Sequence, residues 1–95
     1  MEEYELKPKY ENVKSYYNKA KILKHISIEN KQITSLYSYE TLVCYLKDNE
    51  VFITKNKKHL TQTTLRHIRE FLKQNNFKDK SKKEMLKDYK EIKEK

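Results

Sequence analysis

The sequence predicts an α+β fold: an antiparallel three- to four-stranded meander followed by a packed helix and a C-terminal helix. Three observations predict it. Apolar and polar side chains alternate with period two in short runs between Ser15 and Thr54. Residues able to take left-handed backbone, Asn30 and Asp48-Asn49, separate those runs. The period then changes to that of a helix over Thr61 to Asn75, where Leu65, Ile68, Phe71 and Leu72 share one face.

Residues 1–13 show no clean period, and Pro8 among charges suggests an extended or poorly ordered arm, flexible and outside the domain. A single domain then occupies residues 14–95, one modest core being all that 95 residues can bury. From Ser15, Tyr16, Ala20 and Ile22 alternate with Tyr17, Lys19 and Lys21 as a half-exposed strand. Ser27 to Lys31 is a hairpin connection with Asn30 at positive φ, and Gln32 to Tyr37 returns as the next strand. Ser38 to Thr41 reads either as a tight turn or as part of one bent strand through Leu46. Leu42, Cys44 and Leu46 alternate with Val43, Tyr45 and Lys47; Asp48-Asn49 turns the chain, and Val51 to Thr54 is the last strand.

Lys55 to His59 is a basic loop, and Thr61 is placed to cap the helix with its hydroxyl. With Asn76 at the left-handed position after the helix, Phe77 packs back on Leu72 in a Schellman ending. Ser81 and Glu84 form a capping box that starts the C-terminal helix. Met85, Tyr89 and Ile92 give that helix a thin apolar stripe, with fraying expected over Glu91 to Lys95. Leu65, Ile68, Phe71 and Leu72 are expected to face Leu42, Cys44, Leu46 and Phe52.

Composition narrows the function. The chain is 36% hydrophobic and 38% charged, and no apolar run reaches the 18 or so residues a spanning helix needs. The acidic start lacks the apolar core of a secretory signal. A single cysteine, Cys44, excludes an internal disulfide and fits a reducing cytoplasm. The absence of glycine excludes a P-loop or dinucleotide-binding loop, and every turn is expected to rest on Asn, Asp or Ser. The net charge of +8 fits an anionic partner or plain solubility. Only Arg66 and Arg69 among 22 basic residues are the arginines that base and phosphate recognition favours.

The order Lys14-Ser15-Tyr16-Tyr17-Asn18-Lys19-Ala20, then Leu36-Tyr37-Ser38-Tyr39-Glu40-Thr41, then Thr63-Thr64-Leu65-Arg66-His67-Ile68-Arg69-Glu70-Phe71-Leu72 resembles a family of small phage and prophage proteins of low-GC Gram-positive bacteria, a domain of unknown function. Its members read Ser-Phe-Tyr-Gly-Lys-Ala, then Ser-Tyr-x-Thr, an Asn-Gly hairpin, a Thr-Thr-x-x-His helix and a Lys-rich tail. The resemblance covers residues 14–90. Asn18, Asp48-Asn49-Glu50 and Asn76 depart from it where the family has glycine. It implies a phage or mobile-element origin, hence the host cytoplasm. Small phage proteins often block host machinery, CRISPR effectors included.

His67 with Thr63 and Thr64 has the residue types of a base beside a hydroxyl nucleophile, but no third partner can be named, and the threonines also suit a helix start. His25, His59, His67 and Cys44 follow no metal-ligand spacing. The expected protein is therefore not an enzyme and takes no cofactor or metal. Arg66, Arg69 and Lys73, with Lys55, Lys57 and Lys58 in the preceding loop, make a candidate basic patch, and Tyr16, Tyr17, Tyr37 and Tyr39 offer stacking surfaces for bases. The competing reading is a solvated face and tyrosines covering a small core. The expected function is an accessory protein that binds and inhibits a host protein or nucleoprotein complex, an anti-defence or anti-CRISPR role. The alternative is direct non-specific binding of DNA or RNA through the patch. No membrane partner is expected, and the chain is expected to be a monomer or weak homodimer.

Overall fold

The computed structural model describes residues 1–92. Six strands form one sheet in sequential order: β1 (Glu2–Glu5), β2 (Ala20–Ile26), β3 (Gln32–Ser38), β4 (Thr41–Lys47), β5 (Glu50–Ile53) and β6 (Lys90–Glu91). The first five are antiparallel neighbours, and β6 joins β5 in parallel. Between β5 and β6 the chain makes a short 3-10 turn (Lys57–His59), α1 (Gln62–Gln74) and α2 (Lys82–Asp88). This is the expected α+β meander followed by helices, widened by a strand at each edge.

The cross-strand partners Ile22, Leu36, Cys44 and Ile53 lie on one face of the sheet and are all buried. Ile68, Phe71 and Leu72 of α1 and Met85 of α2 join them in one core. Leu65 is only half-buried at its margin. A bulge corrects the expected alternation in β4: Leu36 pairs with Cys44 but Tyr37 pairs with Leu42, leaving Val43 as the extra residue. Val43 and Cys44 are thus both buried, while Leu42 and Phe52 fall on the face turned away from the helices, where Phe52 stacks on Tyr45 at 4.5 Å.

Without glycine, the turns use other residues at positive φ. Asn18, Asn30, Asp48, Asn49 and Asn76 are the residues for which that costs least. Tyr17, Tyr39 and Glu40 also adopt it, against the expectation that Asn, Asp or Ser would serve every turn. Ser38 to Thr41 is a two-residue hairpin turn, as is Lys47 to Glu50, with positive φ at both central positions of each. Both caps expected for α1 are present. Thr61 Oγ1 accepts from the Thr64 amide, and the amides of Asn76 and Phe77 donate to the carbonyls of Lys73 and Leu72. Ser81 and Glu84 exchange both bonds of the capping box.

Three further expectations are corrected. Residues 15–19 form a turn rather than strand, because Tyr17 and Asn18 take left-handed backbone. Residues 1–13 are not an arm outside the domain: β1 pairs with β2, Leu6 is buried in the core, and the following segment lies against α1. Period alone could not show this, because the segment is held through backbone groups. Finally, α2 stops at Asp88, and Tyr89 to Ile92 is extended. Pairing with the edge of β5, including the Ile92 amide on the Ile53 carbonyl at 3.1 Å, satisfies backbone groups that a frayed helix end leaves to water. Of the fraying expected over Glu91 to Lys95, Glu91 is in β6 and residues 93–95 lie outside the described residues.

Phe71 is 1% exposed at the centre of this core. Replacing it with Ala should cost about 3–5 kcal/mol, read as a lower midpoint in urea unfolding. An unchanged midpoint would mean that α1 presents another face to the sheet.

Candidate functional site

Alongside the apolar face of α1 runs a polar row, Thr64, His67, Glu70 and Gln74, spaced by three and four residues. Thr64, His67 and Glu70 are all buried. The Glu70 carboxylate accepts the backbone N–H groups of Lys9, Tyr10 and Glu11 at 3.1, 3.1 and 2.8 Å. Gln74 Nε2 donates to it at 2.6 Å and also to the Lys7 carbonyl at 2.7 Å. Burial acts to push its pKa up, but the four hydrogen bonds outweigh burial and hold it below the ordinary value. One buried charge therefore fixes the chain from Lys7 to Glu11 on the helix.

Glu11 carries the order onward. Its carboxylate accepts from the Tyr16 hydroxyl and pairs with Arg66. Burial and this hydrogen bond push the Tyr16 phenol well above its usual pKa. The turn that follows is pinned to the sheet, since the Asn18 amide donates to Glu5 at 3.0 Å and the Tyr39 amide to the Lys19 carbonyl at 2.8 Å. The two turns bearing Tyr17 and Tyr39 thus meet above the N-terminal half of α1.

Two hollows open there, one on each side of Tyr39. One, of about 420 Å³, is lined by Lys14, Tyr16, Tyr17, Lys19, Arg66 and His67 among others. The other, of about 390 Å³, is lined by Lys58, His59, Thr61 and Thr64 at the start of α1. Tyr39 and Thr63 belong to both. No Asp or Glu lines either hollow, and Lys14, Lys19 and Lys58 make no ion pair among the described residues. Tyr17 is 71% exposed and Tyr39 50%. Both rings are held up on backbone that bulky residues avoid, a strain of order 1–3 kcal/mol each. Lys19 Nζ lies 5.7 Å from the Tyr39 ring centre, so cation and aromatic surface are already adjacent.

The candidate patch expected from sequence is divided by this arrangement. Arg69 makes a two-pronged pair with Asp79 at 2.8 and 2.7 Å, Lys73 reaches the same carboxylate at 3.6 Å, and Arg66 is paired with Glu11. With Glu70 alongside, three cations face three carboxylates, so that stripe has little net charge to attract a polyanion. Lys55 sits apart near Ile92, and Lys57 lies in the 3-10 turn. Tyr37 is on the opposite face of the sheet, paired with Lys21 and Leu42. Lys58 and Tyr39 remain together in the cleft. Nothing in the sequence marks Lys14 and Lys19, because only the meeting of two turns distant along the chain makes them neighbours of Tyr39.

The hydroxyl beside His67 is that of Ser38, at 2.9 Å from Nδ1, rather than Thr63 or Thr64. Ser38 is 2% exposed, so its hydroxyl is spent inside the fold rather than displayed as a nucleophile. Cys44 is wholly buried, and burial pushes its thiol pKa up and leaves it protonated. Among the described residues no three His, Cys, Asp or Glu side chains gather in a way that would hold a metal, and no helix is long and apolar enough to cross a membrane.

The chain belongs to a family of unknown function (DUF8033), which matches residues 4–87. The match begins inside β1, so it includes the N-terminal segment that Glu70 ties to the helix. No curated protein and no solved structure matches the chain.

Replacing Glu70 with Gln leaves backbone donors without their charged acceptor and should cost about 1–3 kcal/mol at neutral pH. The sign of the pH dependence follows from the lowered native pKa. The carboxylate's stabilisation is fully present above the unfolded value of 4.5 and is lost as pH falls through the lower folded value. Wild-type stability should therefore drop from about pH 5 downward more steeply than that of Glu70→Gln. Parallel stability curves in acid would contradict the clamp.

Proposed function

We propose that this domain binds single-stranded nucleic acid, without catalysis, through the cleft astride Tyr39. The observation that carries the reading is the pair of exposed rings, Tyr17 and Tyr39, beside three lysines in hollows that no carboxylate of the described residues lines. A base stacked on an aromatic ring contributes roughly 1–3 kcal/mol whatever its identity. Lysines without ion pairs among the described residues supply phosphate attraction, and Thr63 in the first turn of α1 adds a hydroxyl and a backbone N–H. A strand crossing Tyr39 places one nucleotide in each hollow. A duplex buries its base faces and gains only the phosphate contacts.

The wild-type protein should bind an oligothymidylate in fluorescence anisotropy more tightly than a duplex of equal length. With three or four phosphates neutralised, the logarithm of affinity should fall with that of salt at a slope of about −2 to −3. Tyr39→Ala should weaken binding about tenfold, and Lys14, Lys19 and Lys58 changed together to Glu should abolish it. Arg69→Glu with Lys73→Glu should have a much smaller effect. Absence of binding at low salt, or a greater loss in the Arg69/Lys73 variant than in the lysine triple variant, overturns the reading.

The sheet face turned away from the helices favours a second reading, a protein partner such as the host nucleic-acid machine whose inhibition the sequence suggests. Leu23, Ile33, Tyr37, Leu42, Tyr45 and Phe52 share that face half-buried. In that reading Leu42→Asp loses a captured partner and Tyr39→Ala keeps it; the opposite pattern supports the cleft.

A further inference from the structure

His67 has one ring nitrogen engaged and one free. Nδ1 lies 2.9 Å from Ser38 Oγ, and Ser38 Oγ lies 3.0 Å from Thr64 Oγ1. Thr61 Oγ1 donates to Thr64 Oγ1 at 3.2 Å. Each hydroxyl carries a single proton. With Thr61 donating to Thr64, an orientation in which Thr64 donates to Ser38 and Ser38 to His67 uses every hydroxyl proton within the row and ends on Nδ1 as an acceptor. Burial, aided by Arg66 and Lys19 and opposed by the Glu11 carboxylate, holds the imidazole pKa down. A neutral ring whose Nδ1 accepts carries its proton on Nε2.

Nε2 makes no hydrogen bond among the described residues and is not one of the fully buried unpartnered atoms, so although the residue is 1% exposed this atom keeps contact with the hollow. The ring borders the hollow that also holds Tyr16, Tyr17 and Tyr39. Tyr16 meets it edge-on at 4.6 Å and Tyr39 lies 6.1 Å away, so the ring is fixed in orientation. We propose that His67 Nε2–H is the directional contact of the cleft, donating to a ring-nitrogen or carbonyl acceptor on the edge of a base stacked in this hollow. A base rather than a phosphate is assigned because the donor is a neutral N–H set among aromatic rings, while the lysines stand free for phosphates. Every base offers such an acceptor, so the contact sets the depth and angle of the base without selecting one. This assignment rests on the single-stranded reading of the cleft.

The test has two arms on the full chain with oligothymidylate as probe. In nitrogen-15 NMR of the free protein, His67 should show the Nε2–H tautomer, and Ser38→Ala should mix the two tautomers. A free-state Nδ1–H tautomer overturns this orientation of the hydroxyls. On titration the Nε2–H resonance should move downfield and exchange more slowly with water; an unchanged resonance at saturation overturns the base contact. His67→Phe, which keeps an aromatic ring without a donor, should bind roughly three- to tenfold more weakly, as loss of one neutral hydrogen bond implies. His67→Gln, which keeps a donor, should recover part of that loss. Wild-type affinity in His67→Phe would also overturn the contact, and the wild-type resonance decides the matter if that variant fails to fold. Failure of wild type to bind the oligonucleotide instead removes the cleft's proposed function and this contact with it, while the tautomer result still stands on its own.

Discussion

A buried carboxylate that accepts hydrogen bonds from three consecutive backbone amides of a distant segment is the constraint on which the rest of this architecture depends. Glu70 is 2% exposed, and a lone ion so placed would cost several kcal/mol of lost hydration. The amides of Lys9, Tyr10 and Glu11 and the Gln74 side chain replace that hydration with fixed donors. The exchange binds residues far apart in sequence through main-chain groups, which any side chains at positions 9–11 would present equally. It converts a polar segment with no apolar periodicity into part of the domain, flanked by the buried Leu6 and the half-buried Val13.

From that clamp the cleft is assembled by short steps. Glu11, positioned by its own amide, holds Tyr16 and Arg66. Tyr16 packs on His67, and the next residue, Tyr17, is thrown outward by positive φ. From the other side the β3–β4 hairpin lifts Tyr39 in the same unfavourable backbone region. Strain at these two tyrosines does nothing for the core, since both rings are largely exposed. It is stabilised by the hydrogen bonds around each turn, the Tyr17 amide on Ser15 Oγ and the Tyr39 amide on the Lys19 carbonyl. Aromatic rings displayed at the expense of local stability are the feature that most distinguishes this cleft from ordinary surface.

Elements that rest on local chemistry were legible in the sequence. Thr61, Asn76 with Phe77, and the Ser81–Glu84 box all act within a few residues of themselves, and each is found as read. The Asp48-Asn49 turn was legible for the same reason. What was not legible depends on distant meetings. The bulge at Val43 reverses which of Leu42 and Val43 is buried, and no pattern within β4 signals it. The Ser38 to Thr41 turn was legible only as one of two readings, because Tyr39 and Glu40 are residues that positive φ disfavours. Tyr89 and Ile92 fit a helical stripe, yet an open edge on β5 captures them as extended chain. The α1 basic stripe was visible, but its neutralisation by Glu11 and Asp79 was not, since those carboxylates arrive from the N-terminal segment and from the loop after α1. One signal was available: Thr64, His67 and Glu70 recur at three-residue spacing beside the apolar face, where polar residues find buried partners.

Glu70 makes the N-terminal segment a structural part of the cleft. Amide hydrogen exchange at Lys9, Tyr10 and Glu11 tests it most directly, because these are the amides the carboxylate holds. Protection in the wild type should be comparable to that of amides inside α1, and should collapse at those three positions in Glu70→Ala while the α1 interior stays protected under conditions where that variant remains folded. Exchange at 9–11 as fast in the wild type as in an unstructured peptide would contradict it.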